Sequence, residues 1–280
     1  LLHAPPGTEL FDLLIGPSKA PELAWRDFHH LGDSAETLAA VLKGALRAGE
    51  PGMHVLLYGP PGTGKTEFAR ALAARVGAPL HAVGEADEDG DEPARVERLG
   101  ELRLAQKLAA GRRALLMVDE AEDLFVADHG WKIRQSSAGS RVFMHRLLEE
   151  APVPTIWIVN YPDALDAAVR RRMAFCLEMK IPPHAVRARL WSRLARQEGV
   201  KLSGTEAARL ARVLPVPPAL TRSALRAARL AGGDAKHVQS ALAGTAAALF
   251  GATPEEPESE ADDYDLDLIN ANVDLCALVD

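Results

Sequence analysis

Gly59-Pro60-Pro61-Gly62-Thr63-Gly64-Lys65-Thr66 stands between a short apolar run, Val55-Leu56-Leu57-Tyr58, and a stretch with Phe68, Ala69, Leu72 and Val76 at helical spacing. A continuous apolar run bounded by Gly and Pro reads as a strand buried on both faces. The stretch after the octet reads as a helix that stops at Gly77. The octet itself fits the pattern GxxxxGK[ST], whose chemistry needs this strand–turn–helix context. Glycines let backbone N–H groups converge on phosphate oxygens, and the helix N-terminus adds free donors and its dipole. Lys65 is then placed to reach the β- and γ-phosphates, and the Thr66 hydroxyl to coordinate Mg²⁺. The segment predicts ATP with Mg²⁺ as the ligand, cradled by every residue from Gly59 to Thr66.

Working outward, the strand character returns at Leu80 to Val83, Ala114 to Val118 and Thr155 to Val159. A further run, Phe175 to Ile181, alternates more and is expected at a sheet edge. Helical segments separate the runs, notably Pro93 to Ala110 and Arg141 to Glu150. Strand alternating with helix implies a parallel sheet covered by helices on both faces. Upstream, residues 1–32 read as an irregular lead-in with one short helix, and Asp33-Ser34-Ala35-Glu36 resembles a capping box that opens a helix. Residues 33–181 form the expected α/β domain. After Ile181-Pro182-Pro183 the strands end, and helical stretches His184 to Glu198, Thr205 to Leu214, Pro218 to Ala231 and Asp234 to Phe250 predict a small all-helical domain over 182–251.

Residues 252–280 differ in kind. Pro254-Glu255-Glu256-Pro257-Glu258-Ser259-Glu260 has high charge and no apolar periodicity, so it reads as a solvated linker or as an acidic binding peptide. Leu266, Leu268, Ile269, Val273, Leu275 and Leu278 then form an amphipathic segment with nothing after it to pack on, and the native protein is expected to continue past Asp280.

Ala114-Leu115-Leu116-Met117-Val118-Asp119-Glu120 is an apolar strand that ends in two carboxylates. Downstream of a P-loop this reads as a Walker B strand. Asp119 supports the Mg²⁺ shell, and Glu120 polarises the attacking water. Glu122 and Asp123 continue the acidic run and are expected to cap the next helix.

Taken with the P-loop, Val118-Asp119-Glu120-Ala121-Glu122-Asp123-Leu124-Phe125 and Ile158-Val159-Asn160-Tyr161-Pro162-Asp163-Ala164-Leu165-Asp166 resemble the AAA+ ATPases, in particular the AAA group that includes cell-division-cycle and proteasomal ATPases. The resemblance covers roughly residues 30–250. It implies a P-loop NTPase sheet in which the strand ending at Asn160 lies between the P-loop and Walker B strands, followed by a helical lid. It also implies a sensor 1 role for Asn160, positioning the hydrolytic water. Arg170-Arg171-Arg172 stands where the family places arginine fingers, which reach the γ-phosphate of a neighbouring subunit; Arg171 and Arg172 are the candidates, and the run does not say which points across. Met173-Ala174 replaces the family's usual Phe-Asp. Arg222 reads either as a sensor 2 arginine or as an exposed helix residue. Where protein-threading rings carry an aromatic-glycine pore loop, Gly84 to Glu92 is acidic and lacks an aromatic. The segment from Asp265 resembles the lead-in to a second module of bacterial tandem-AAA proteins.

Composition narrows the rest. The chain has 280 residues, 48% hydrophobic, 25% charged and only 5% aromatic, which suits helices packed through small side chains. A formal net charge of −7 weighs against a broadly basic nucleic-acid surface. Cys176 and Cys276 lack metal-ligand spacing, and the histidines show no HExxH pattern. With no secretory leader and no apolar run long enough to span a bilayer, the expected location is the cytoplasm. The sequence thus predicts an ATP-hydrolysing module that assembles as a homo-oligomeric ring and remodels a macromolecule, with protein ahead of nucleic acid as substrate. The alternatives are a nucleotide-binding structural tier supporting a second AAA module, or an AAA+ ATPase acting on nucleic acid.

Overall fold

The computed structural model describes residues 15–84, 94–125, 137–213 and 216–250. Strands β1 (His54–Tyr58), β2 (Leu80–Ala82), β3 (Leu115–Val118), β4 (Thr155–Val159) and β5 (Phe175–Glu178) form one five-stranded sheet in the order β2-β3-β4-β1-β5. Every pairing is parallel, with Val55 opposite Ile156 and Leu116 opposite Thr155. Parallel strands need crossovers, and helices supply them. The helices of this part are α1 (Gly32–Ala48), α2 (Lys65–Val76), α3 (Arg95–Ala109), α4 (Glu122–Phe125), α5 (Ser137–Glu149) and α6 (Ala167–Arg170).

Side-chain alternation along the strands divides the core into two layers. Val55, Leu57, Met117, Ile156 and Ile158 pack with Leu38 and Leu42 of α1 and Phe68 and Leu72 of α2. Leu56, Leu116, Val118, Trp157 and Val159 pack with Leu99 and Leu102 of α3 and with Leu147 and Leu148. Both faces of the sheet are therefore covered, each fully buried large side chain contributing about 1.5–3 kcal/mol by removal from water. Within the second layer lies a polar relay. The Trp157 indole N–H donates to His54 Nδ1 at 3.1 Å, which leaves His54 Nε2–H to donate to the Leu148 carbonyl at 2.7 Å. Burial pushes the His54 pKa below its ordinary value.

Several expectations need adjusting. β5 sits at the sheet edge as expected but ends at Glu178, short of Ile181. The capping box at Asp33 does not form. A 3₁₀ turn over Trp25–Leu31 runs directly into α1, and the Gly32 N–H already donates to the His29 carbonyl. Glu36 instead accepts from Trp25 Nε1 at 2.8 Å, while the box-like bond lies one element earlier, from Ala24 N to Asp27 Oδ2 at 2.8 Å. Part of the lead-in packs on the α/β core: Trp25 stacks on Phe68 with ring centroids 5.6 Å apart, and Phe28 is buried beside it.

The chain divides into two compact units, one of residues 1–186 with 217–219, the other of 187–216 with 220–280. Helices α7 (His184–Glu198), α8 (Gly204–Val213), α9 (Pro218–Leu230) and α10 (Ala235–Phe250) supply the second. Its own core is Trp191, Leu194, Leu210, Leu225, Val238 and Leu242. No helix among the described residues is long and apolar enough to cross a membrane. The 85–92 part of the acidic loop, the acidic tail and the amphipathic segment to Asp280 lie outside the described residues.

Candidate nucleotide and hydrolysis site

The sheet order sets the site. β4 lies between β1 and β3, so Asn160 at its end stands between the P-loop and the Asp119-Glu120 pair. The P-loop leaves β1 at Gly59 with φ +139°, where a Cβ would come within 2.4 Å of the Met179 carbonyl oxygen. Only glycine fits there. Thr63 Oγ1 donates to the Pro60 carbonyl at 2.9 Å and holds the turn, and Lys65 opens α2.

Lys65 is buried, and its Nζ donates to Gly59 O at 2.7 Å, Pro60 O at 3.0 Å and Asn160 Oδ1 at 2.9 Å. Burial lowers its pKa, while the nearby carboxylates of Asp119, Glu122 and Glu120 pull the other way. Thr66 Oγ1 donates to Asp119 Oδ2 at 2.6 Å, bringing two hard oxygen donors together at the start of α2. These fit Mg²⁺, which takes one or two protein oxygens and fills its octahedron with water and phosphate. Among the described residues no group of three or more His, Cys, Asp or Glu could hold a metal, so an ion here relies on the phosphates for further ligands.

Glu120 is the one non-glycine residue with positive φ among those described, at 48°. That left-handed conformation costs a residue with a Cβ about 1–2 kcal/mol. Its N–H donates to Asp119 Oδ1 at 2.9 Å, and its side chain is exposed. The arginine turn follows α6, whose first N–H groups are capped by Asp166 through Val169 N at 2.8 Å. Arg170 pairs with Asp163 at 3.3 Å, and Arg172 pairs with Glu149 at 2.7 Å. Arg171 is exposed and donates Nε to the Ala167 carbonyl at 3.2 Å, with no carboxylate partner among the described residues.

Residues 55–182 match the model of the ATPase family associated with various cellular activities (AAA). The chain carries an AAA ATPase domain. By that family the domain is an ATP hydrolase. Spastin of Naegleria gruberi is 28% identical over 201 residues, which is 65% of this chain and 37% of that protein. The match thus spans little more than a third of that relative. A crystal structure of the FIGL-1 AAA domain in complex with ADP superposes with a TM-score of 0.64 at 18% identity, covering 93% of this chain and 97% of that one. A katanin structure concerned with self-assembly gives 0.60 at 20% identity, covering 86% and 93%. At these identities the two structures share the fold.

Within the AAA domain, two acidic residues depart from expectation. Glu122 does not cap α4. Its carboxylate accepts the Asn160 N–H and so ties the β3 exit to the end of β4. Asp123 accepts from Arg98 Nη1 at 2.6 Å. Arg98 itself was not among the sequence candidates, because α3 carries charges along much of its length. Its one signal is position: Arg98 shares a stripe with Leu102, Ala105 and Ala109, all fully buried. Arg222 lies exposed on α9 in the second unit.

Proposed function

We propose that this chain binds ATP with Mg²⁺ and hydrolyses it in a ring of copies, driving conformational work on a protein substrate. The observation that carries the reading is the single network Thr66–Asp119 and Lys65–Asn160, which joins the ends of β1, β3 and β4. Phosphate oxygens would replace the carbonyls now facing Lys65, so its charge meets the β- and γ-phosphates. Mg²⁺, held by Thr66 and Asp119, supplies charge neutralisation for the phosphates when bound. Asn160 orients the attacking water, and Glu120 takes its proton as general base. An arginine from a neighbouring copy, Arg171 or Arg172, offsets charge that builds on the transferred group.

Ring assembly is supported by the katanin likeness and by the exposed arginine turn. Protein is the preferred substrate because the net charge of −7 disfavours a broadly basic surface. A second AAA module in the same native chain, following the acidic linker, would supply the aromatic pore loop that Gly84 to Glu92 lacks. Lys65→Ala tests the core of the proposal. It is expected to weaken binding of a fluorescent ATP analogue and to suppress turnover. Unchanged affinity together with unchanged turnover would sink the P-loop assignment. Stimulation of wild-type turnover by unfolded protein is expected; stimulation by DNA instead would move the substrate to nucleic acid.

A further inference from the structure

Arg98 is the least exposed arginine among the described residues of the α/β unit, with 8% of its surface accessible, and it points at the exit of β3. Its Nη2 donates to the Asp119 carbonyl at 2.7 Å. Its Nη1 donates to the Glu120 carbonyl at 3.2 Å and to Asp123 Oδ1 at 2.6 Å. One planar guanidinium therefore holds the two carbonyls that flank the Glu120 Cα. Those carbonyls fix the peptide planes on either side of Glu120, and the angle between the planes is what its φ and ψ describe. Glu120 holds φ at +48°, alone among described non-glycine residues. A left-handed residue with a Cβ persists where its surroundings over-determine it.

The approach to Arg98 is cut to fit. A Cβ on Gly84 would lie 3.1 Å from Arg98 Nε and 3.3 Å from its Cγ. The absence of a side chain at Gly84, two residues past β2, thus leaves room for the guanidinium stem. Nε is buried with no hydrogen-bond partner among the described residues, so the side chain is placed by its two Nη groups and not by saturating every donor. A staple serving only to dock α3 on the sheet has no need to hold both carbonyls around one residue.

We propose that Arg98 is a positioning residue for hydrolysis, holding Glu120 in the left-handed conformation that aims its carboxylate at the attacking water. The inference rests on the reading of Glu120 as general base. Lysine is the informative replacement. Arg98→Lys keeps the charge beside Asp123, but a single ammonium lacks the planar fork that spans two carbonyls. It is expected to leave affinity for a fluorescent ATP analogue and KM within about twofold while lowering kcat at least about tenfold, the scale of a misplaced catalytic group. Gly84→Ala, which crowds the stem without removing the charge, is expected to shift kcat in the same direction.

The deciding measurement is a double-variant cycle read by single-turnover hydrolysis of radiolabelled ATP. With Glu120→Gln already present, adding Arg98→Lys is expected to cost no further rate, because the group it positions is gone. Multiplied losses in the double variant would overturn the inference while leaving Glu120 in its role. A kcat unchanged by Arg98→Lys, or a fall in nucleotide affinity matching the fall in rate, would overturn it as well. If Glu120→Gln alone leaves turnover near wild type, the general-base reading fails and Arg98 loses its catalytic meaning with it.

Discussion

At the ends of β1, β3 and β4, Lys65, Thr66, Asp119 and the Asn160 backbone all have partners within the chain. At the turn of Arg170, Arg171 and Arg172, partners thin out: Arg170 and Arg172 reach one carboxylate each, and Arg171 reaches none among the described residues. The first region is wired to itself and needs nothing from outside to hold its geometry. The second displays guanidinium charge at the surface. A group that acts within its own chain has to be fixed before the ligand arrives, whereas a group that acts across a subunit boundary has to remain presentable. The contrast also ranks the arginines. Arg172 is held in place by Glu149 and would have to exchange that partner; Arg171 has no carboxylate to give up.

The largest expected effect would break this contrast if it failed. An Arg171→Ala, Arg172→Ala double variant is expected to bind ATP yet to lose roughly 10³-fold or more in turnover, the worth of an arginine finger. Of the single variants, Arg171→Ala is expected to cost more. Mixing the double variant with Glu120→Gln is expected to restore part of the activity, because some interfaces then pair an intact Glu120 with intact arginines. Wild-type turnover per molecule is expected to rise with protein concentration. Concentration-independent turnover, with the arginine variant equally active, would return the turn to an ordinary surface feature.

Next in size is the self-wired half. Glu120→Gln is expected to keep nucleotide affinity and to lower steady-state turnover by about a hundredfold, the scale of general-base loss. Near-wild-type turnover would transfer the role to another carboxylate, with Glu122 next in line because it already touches the Asn160 backbone.

Much of this was legible in the chain, and for a physical reason. The P-loop and the Asp119-Glu120 pair sit at strand ends, where local spacing points to both element and chemistry, whereas the role expected of Asn160 came from the resemblance. The strand order followed from the resemblance, and β4 between β1 and β3 places Asn160 where that resemblance put it. What local pattern could not supply is contact made across the fold. Arg98 meets the β3 exit from a helix of mixed charge, and Glu122 turns from its own helix to the end of β4. The missing capping box at Asp33 has the same origin, since the 3₁₀ turn before it already satisfies the first donor of the helix. Sequence named the candidate reacting groups; the contacts that hold them came only with the structure.

The smallest expected effect concerns stability, and it sharpens what the wired half depends on. His54 is buried on β1, accepts from Trp157 and donates to Leu148, an arrangement that only the neutral ring can make. Burial lowers its pKa in the folded chain, while in the unfolded chain it titrates near its ordinary value of about 6.5. The unfolded state therefore binds the proton more readily. The stability that His54 confers is fully present above about pH 6.5 and is lost as pH falls from there through the folded value, by at most about 1.4 kcal/mol per pH unit from this one group. His54→Gln offers the carbonyl and amide of a side chain that can meet the same two partners without titrating. Chemical denaturation at pH 8 and at pH 5.5 is expected to show the wild type losing more stability between the two than the variant. Other groups titrate in both proteins alike, so the difference of differences isolates His54. Equal losses in the two proteins would mean that the His54–Trp157 pair opens to water before it protonates, and the relay within this core layer would then be a surface-accessible one.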